Sequence, residues 1–155
     1  MWRSTTENIK QKRGTVCLFN SVALTSTYCF VVESEIDCMS IDECGFASVG
    51  LGLTSNIRKI FDHDTSKTVL ILALDNDQRG NKATVDLMKL CDEHKVPYIV
   101  AQNDIWSDCK DANELLVKDR ARLTANLQAH LERATTNGSK ICVNVRRLIL
   151  TGEAV

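Results

Sequence analysis

The stretch LALDNDQRG (72–80) runs from apolar residues straight into two carboxylates, Asp75 and Asp77, followed by Arg79 and Gly80. A second acidic pair, Glu33 and Asp37, sits in TYCFVVESEIDCMSI (27–41). A further acid, Asp111, lies in KDANELL (110–116), between Lys110 and Asn113. Carboxylates brought together repel, so either some take up protons or a cation neutralises them. Hard oxygen donors on an open site suit Mg²⁺, or Mn²⁺ in its place. Such a centre serves phosphoryl transfer or phosphodiester chemistry. Gly80 permits close backbone approach, and Arg79 with a helix N-terminus can hold a phosphate. Each piece also has an ordinary structural use. A D-x-D after a strand is commonly a turn and a helix cap. Asp111 with Glu114 makes a capping pair. Asp37 suits the positive end of a helix, and Glu33 can simply end a strand. Arg79 and Lys110 taken singly are solvated surface charges.

The joint placement of these acids depends on the elements that carry them. TYCFVVE (27–33) is β-rich and ends on Glu33. SEIDCMSIDECG (34–45) places Ile36, Met39 and Ile41 on a helix closed by Gly45. FASVGLGL (46–53) reads as a strand, and TSNIRKIFDHD (54–64) as a helix capped by Thr54 or Ser55, with Ile57, Ile60 and Phe61 inward. KTVLILALD (67–75) is continuously apolar, as strands covered on both faces are. The next helix, 77–95, carries Val85, Met88 and Cys91 with Leu87 and Leu90, and ends on His94 and Lys95. VPYIVAQ (96–102) is a strand that begins with the chain's one proline. After the polar loop NDIWSDCK (103–110) comes a long helix with Leu116, Leu123, Leu127 and Leu131 as its buried stripe. GTVCLFNSVAL (14–24) reads as a strand or hairpin, and KICVNVRRLIL (140–150) either adds an edge strand or belongs to a neighbour. The alternation β-α-β-α-β-α-β-α predicts an α/β fold with a mostly parallel four-stranded sheet and helices on both faces. Ligands of such sheets bind beyond the carboxyl ends of the strands. There Glu33, Asp37, Asp75, Asp77, Asp111 and Asn113 can converge.

The bulk composition fits one domain. The chain has 155 residues, 44% of them hydrophobic, and a formal net charge of −1. That balance argues against tight autonomous DNA binding, though not against local contact within an assembly. Seven cysteines without a C-x-x-C pair read as reduced thiols of a cytoplasmic protein rather than a disulfide framework or a zinc site. No signal peptide and no apolar run of about 20 residues is present, so no membrane partner is expected.

FVVESEIDCMSI (30–41) followed by LALDNDQRG resembles the Toprim domain, which topoisomerases, DnaG-type primases, OLD-type nucleases and recombination proteins share. The resemblance covers roughly 28–118, with 1–27 as a lead-in and 119–155 as a C-terminal helix and edge strand. KDANELL and LFNSVAL (18–24) resemble segments of primases borne by phages, plasmids and other mobile elements. The resemblance implies a Rossmann-like Toprim fold and metal-dependent nucleotidyl transfer that makes RNA primers on single-stranded DNA. It implies Glu33 as general acid/base and Asp75 and Asp77 as metal ligands, with Asp37, Asp111 and Asn113 around them. Asp37 is accordingly expected in a catalytic role, Asp111 as a further ligand, and Arg79, Gly80, Lys110 and Asn113 as nucleotide or phosphate contacts. The implied partners are template DNA, nucleoside triphosphates, and a replicative helicase or other domains of a longer parent protein. Two departures stand out: Ser34 replaces the glycine usual after the first glutamate, and Asn113 replaces a second acid. The alternatives are an OLD-like or RNase M5-like nuclease and a non-catalytic scaffold.

Overall fold

Four short strands form the sheet: β1 (Tyr28–Val32), β2 (Ser48–Gly50), β3 (Val69–Leu72) and β4 (Tyr98–Val100). They pair in the order β2-β1-β3-β4, and every pairing is parallel. β3 is buried at all of its positions, as its unbroken apolar run predicts. This computed structural model describes residues 17–151, with side chains through residue 136.

The helices are α1 (Glu35–Glu43), α2 (Gln78–His94), α3 (Ala112–Lys118) and α4 (Arg120–Thr151), with 3-10 helices at Ser21–Thr25 and Thr54–Asp62. α1, α3 and α4 cover one face of the sheet, burying Phe30, Ile41, Ile71, Leu115, Leu123 and Leu127. α2 and the two 3-10 helices cover the other, burying Leu24, Val31, Ile60, Leu70, Leu87 and Cys91. The connection from β1 runs one way along the sheet and those from β2 and β3 run the other. Right-handed crossovers therefore demand opposite faces.

Several local expectations change. The described part of the lead-in makes a single antiparallel bridge, Phe19 to Gly50, and then a 3-10 helix in place of a strand or hairpin. Residues 1–16 of that segment lie outside the described residues. The segment 140–150 is helical, within α4, and adds no strand to the sheet. On α1, Ile36 and Met39 are 55% and 52% exposed, while Asp37, Cys38, Ser40 and Ile41 are buried. Polar anchors turn that helix: the Cys38 thiol and carbonyl both meet Ser48, and Asp37 is held as described below. Val85 on α2 is likewise half exposed, with Ala83 inward in its place.

The Thr54–Asp62 helix is 3-10, and neither Thr54 nor Ser55 caps it; Leu53 holds the cap position without a side-chain bond. Three residues per turn stack Ile57 directly under Ile60, and both are buried. The polar loop after β4 buries Ile105 and Trp106. The expected single helix 111–135 breaks at Asp119, whose carboxylate accepts from the Arg122 N–H at 3.1 Å and so starts α4 afresh.

Candidate active-site edge

The strand order reverses between β1 and β3, and the crevice at such a reversal is where open α/β sheets bind ligands. Glu33 directly follows β1, and Asp75 lies just beyond β3. Both carboxyls therefore reach the same crevice. The Oε1 atom of Glu33 is buried and has no hydrogen-bond partner. Burial first, then the charge and the side-chain hydrogen bond of Asp75, then the charge of Asp77, push the Glu33 carboxyl up to about 7, against the opposing pull of the Asp75 backbone N–H. Asp75 is also raised, by burial and then by the charges of Asp37, Asp111 and Asp77, while its hydrogen bond with Glu33 works against the rise. A proton shared between Glu33 and Asp75 relieves the repulsion when no cation does.

Gly80 explains how the two elements approach so closely. A Cβ on Gly80 would fall 1.9 Å from the Asp75 carbonyl oxygen and 3.0 Å from Glu33 Oε1. Asp77 is the N-cap of α2, accepting from the Gly80 N–H at 2.7 Å. Asp77 is thus both the expected structural cap and a charge felt by Glu33 and Asp75. Asp111 is likewise the N-cap of α3, accepting from the Glu114 N–H at 2.9 Å, and its charge reaches Asp37 and Asp75. Glu114 completes the box one residue early, accepting from the Lys110 N–H at 2.6 Å.

Asp37 lies among these charges but in a different setting. It is 5% exposed. The Ser34 hydroxyl donates to its Oδ2 at 2.7 Å, and the Asn113 N–H donates to its Oδ1 at 3.1 Å. Asp37 therefore ties the start of α1 to the start of α3. Burial raises its pKa, and the bonds from Ser34 and Asn113 oppose the rise. The Asn113 side chain meets Ser40 of α1 at 3.3 Å. Lys110 is exposed, and its charge favours ionised Asp37. Arg79 is exposed on the first turn of α2, beside Thr54 and Lys82 in a surface groove.

Ser34, which replaces the expected glycine, fits without strain. Its φ of −106° and ψ of 157° are extended, and its hydroxyl caps α1 by accepting from the Asp37 N–H. The S-x-x-D spacing of Ser34 and Asp37 carries that cap in the sequence; what it does not carry is the hydroxyl's second bond to the carboxylate.

As donors, Glu33, Asp75, Asp77 and Asp111 are all hard oxygens, and the unpartnered Glu33 Oε1 fits a divalent cation. Among the described residues, no three acid, histidine or cysteine side chains are already gathered in coordinating positions. The buried thiols Cys29 and Cys91 are pushed up to about 12, mainly by burial, and are unreactive packing groups. No helix among the described residues is long and apolar enough to cross a membrane.

None of the curated proteins matches the chain. Among solved structures, the chain is similar to the primase fragment of the bacteriophage T7 primase-helicase protein, at 24% identity and a TM-score of 0.51. That likeness covers 68% of this chain and 44% of the phage chain. It is also similar to a chain in a structure of the T7 lagging-strand DNA polymerase interacting with primase domains of two gp4 subunits bound to an RNA/DNA hybrid and dTTP. There the identity is 22% and the TM-score 0.50, over 67% of this chain and 53% of the other. The chain thus spans about half the length of these structures or less, and the likeness is one of fold. A family model described as Toprim-like matches residues 30–116, more than half of the chain and every strand of the sheet but the start of β1. The chain belongs to the Toprim-like family.

Proposed function

We propose that the chain is the Toprim catalytic part of a primase, joining ribonucleotides on single-stranded DNA within a longer replication protein. The observation that carries this reading is the unpartnered, buried Glu33 Oε1 facing Asp75 where the strand order reverses. Glu33, Asp75 and Asp77 would hold Mg²⁺ or Mn²⁺, with Asp111 close enough to add its charge. When bound, the cation supplies Lewis-acid stabilisation of phosphate charge and lowers the pKa of a coordinated hydroxyl. Glu33, whose carboxylate form is favoured once a cation relieves the repulsion of Asp75 and Asp77, would take up and return a proton at the attacking 3′-hydroxyl. Asp37 acts as a positioning residue: it fixes the start of α3, and with it Asp111. Arg79 and the N-terminus of α2 offer positive charge to the triphosphate. The T7 likeness supports the primase choice within the family.

The test is template-directed oligoribonucleotide synthesis with Mg²⁺ or Mn²⁺, using the chain in its parent protein. Glu33→Gln should lower the rate by about 10²-fold or more; unchanged synthesis would refute the assignment. Hydrolysis of labelled DNA or RNA without nucleotides would instead mark a nuclease. Absence of Mn²⁺ binding at millimolar concentration in calorimetry would mark a scaffold.

A further inference from the structure

Between the Thr54–Asp62 helix and α2 runs a groove of about 550 Å³. It starts at the acidic edge. Thr54 lies two residues past Gly52, whose N–H bonds the Glu33 carbonyl at 2.8 Å, and Lys82 lies two past Gly80, which packs on Glu33. Arg58, Arg79, Lys82 and Lys89 line the groove, against Asp86 and Glu93. All four cations are exposed, and none is in an ion pair among the described residues. Ion pairs at Lys118, Arg120 and Arg122 lie on the other face of the sheet. In a chain of net charge −1, four cations against two acids make this a local excess of positive charge.

Residues 79, 82, 86 and 89 recur every three or four positions, so one face of α2 presents them in a row. Arg79 and Lys89 are separated by about 15 Å along the helix. The floor is aliphatic, with Ile57, Ala83 and Leu90 buried beneath the charges. Three cations spread over about 15 Å of α2, interrupted by Asp86 and faced by Arg58, match several phosphates of an extended strand better than one compact phosphate. Among the described residues no aromatic side chain lines the groove.

We propose that this groove carries the backbone of a single nucleic-acid strand to or from the acidic edge, independently of sequence. The proposal rests on the primase reading for its partner, but its test does not. Fluorescence anisotropy of a labelled oligothymidylate, across a series of salt concentrations, should show binding that weakens steeply with salt. Arg58→Glu combined with Lys82→Glu should weaken it at least tenfold and reduce the log–log salt slope by about 0.7 for each phosphate no longer neutralised. Arg122→Glu, on the opposite face, should leave it unchanged, and all three proteins should still bind Mn²⁺. No binding by the wild type at low salt, or equal affinity in the groove variant, overturns the proposal. So does binding of inorganic triphosphate at these residues when the oligonucleotide does not bind. Glu33→Gln separates the two ideas. If strand binding depends on the groove while the parent protein makes no product, the primase reading fails alone. If Glu33→Gln abolishes synthesis while the groove variant binds normally, the groove fails alone.

Discussion

Glu33 and Asp37 stand four residues apart at the end of one strand, and they do opposite work. Asp37 is buried with both oxygens bonded, one to the Ser34 hydroxyl and one to the Asn113 N–H. Glu33 faces a crevice with one buried oxygen unpartnered and a second carboxyl against it. The difference lies in supply of donors. The starts of α1 and α3 meet at Asp37 and provide a donor for each oxygen, whereas the β1–β3 crevice gathers acids and leaves Glu33 Oε1 without one. A satisfied buried carboxylate holds structure together. One with an oxygen left unpartnered among like charges stores repulsion that a proton or cation releases.

The largest expected effect that probes this contrast is on activity. Glu33→Gln should reduce primer synthesis by about 10²-fold or more while raising the melting temperature of the metal-free protein. Asp37→Ala should do the reverse in stability. It strands the Asn113 N–H and the Ser34 hydroxyl, at a cost of about 1–3 kcal/mol, visible in urea unfolding. If Asp37→Ala left stability unchanged while abolishing synthesis, Asp37 would be a chemical participant and the contrast would collapse.

Gly80→Ala comes next. Its methyl would overlap the Asp75 carbonyl, so α2 must shift, costing about 1–3 kcal/mol. Mn²⁺ affinity, read by calorimetry, should fall with it.

The pH dependence is smaller. The Glu33 carboxyl is raised from 4.5 to about 7, so folding favours its neutral form. The stability this contributes is complete below about 4.5 and is lost as pH rises through about 7. His130 opposes it. Buried, it accepts from the Gln102 N–H at 3.1 Å, and burial lowers its pKa from 6.5, so its contribution is lost as pH falls. Comparison with Glu33→Gln isolates the glutamate. In chelator, the variant should match the wild type near pH 5 and melt about 2–4 °C higher near pH 8. Added Mn²⁺ should stabilise the wild type more than the variant. A constant gap across pH would mean Glu33 is not strained by its neighbours.

The smallest effect is expected from Ser34→Gly. It introduces the glycine that the Toprim resemblance leads one to expect, removes the α1 cap and one Asp37 bond, and should cost about 1 kcal/mol with synthesis nearly intact. A gain in activity would mean that the serine crowds the crevice.

The alternation of strands and helices, the continuous burial of β3 and the acids at the ends of β1 and β3 were legible in the chain itself. Parallel strands must bury both faces, and only apolar runs do that. Where the pattern misled, polar bonds between distant segments were responsible. Asp37 and Cys38 turn α1 so that Ile36 and Met39 face outward, and Asp119 caps a new helix where the leucine stripe reads as continuous. Spacing also could not separate Glu33 from Asp37, because both are acids within a turn of the same strand end. Tertiary structure made that distinction: Asn113, 76 residues along the chain from Asp37, reaches one of the two carboxylates and not the other. The pairing of Arg58 with Lys82 across a groove belongs to the same class. Local sequence governs which side chains share a face of an element; only packing decides which elements bring their charges together.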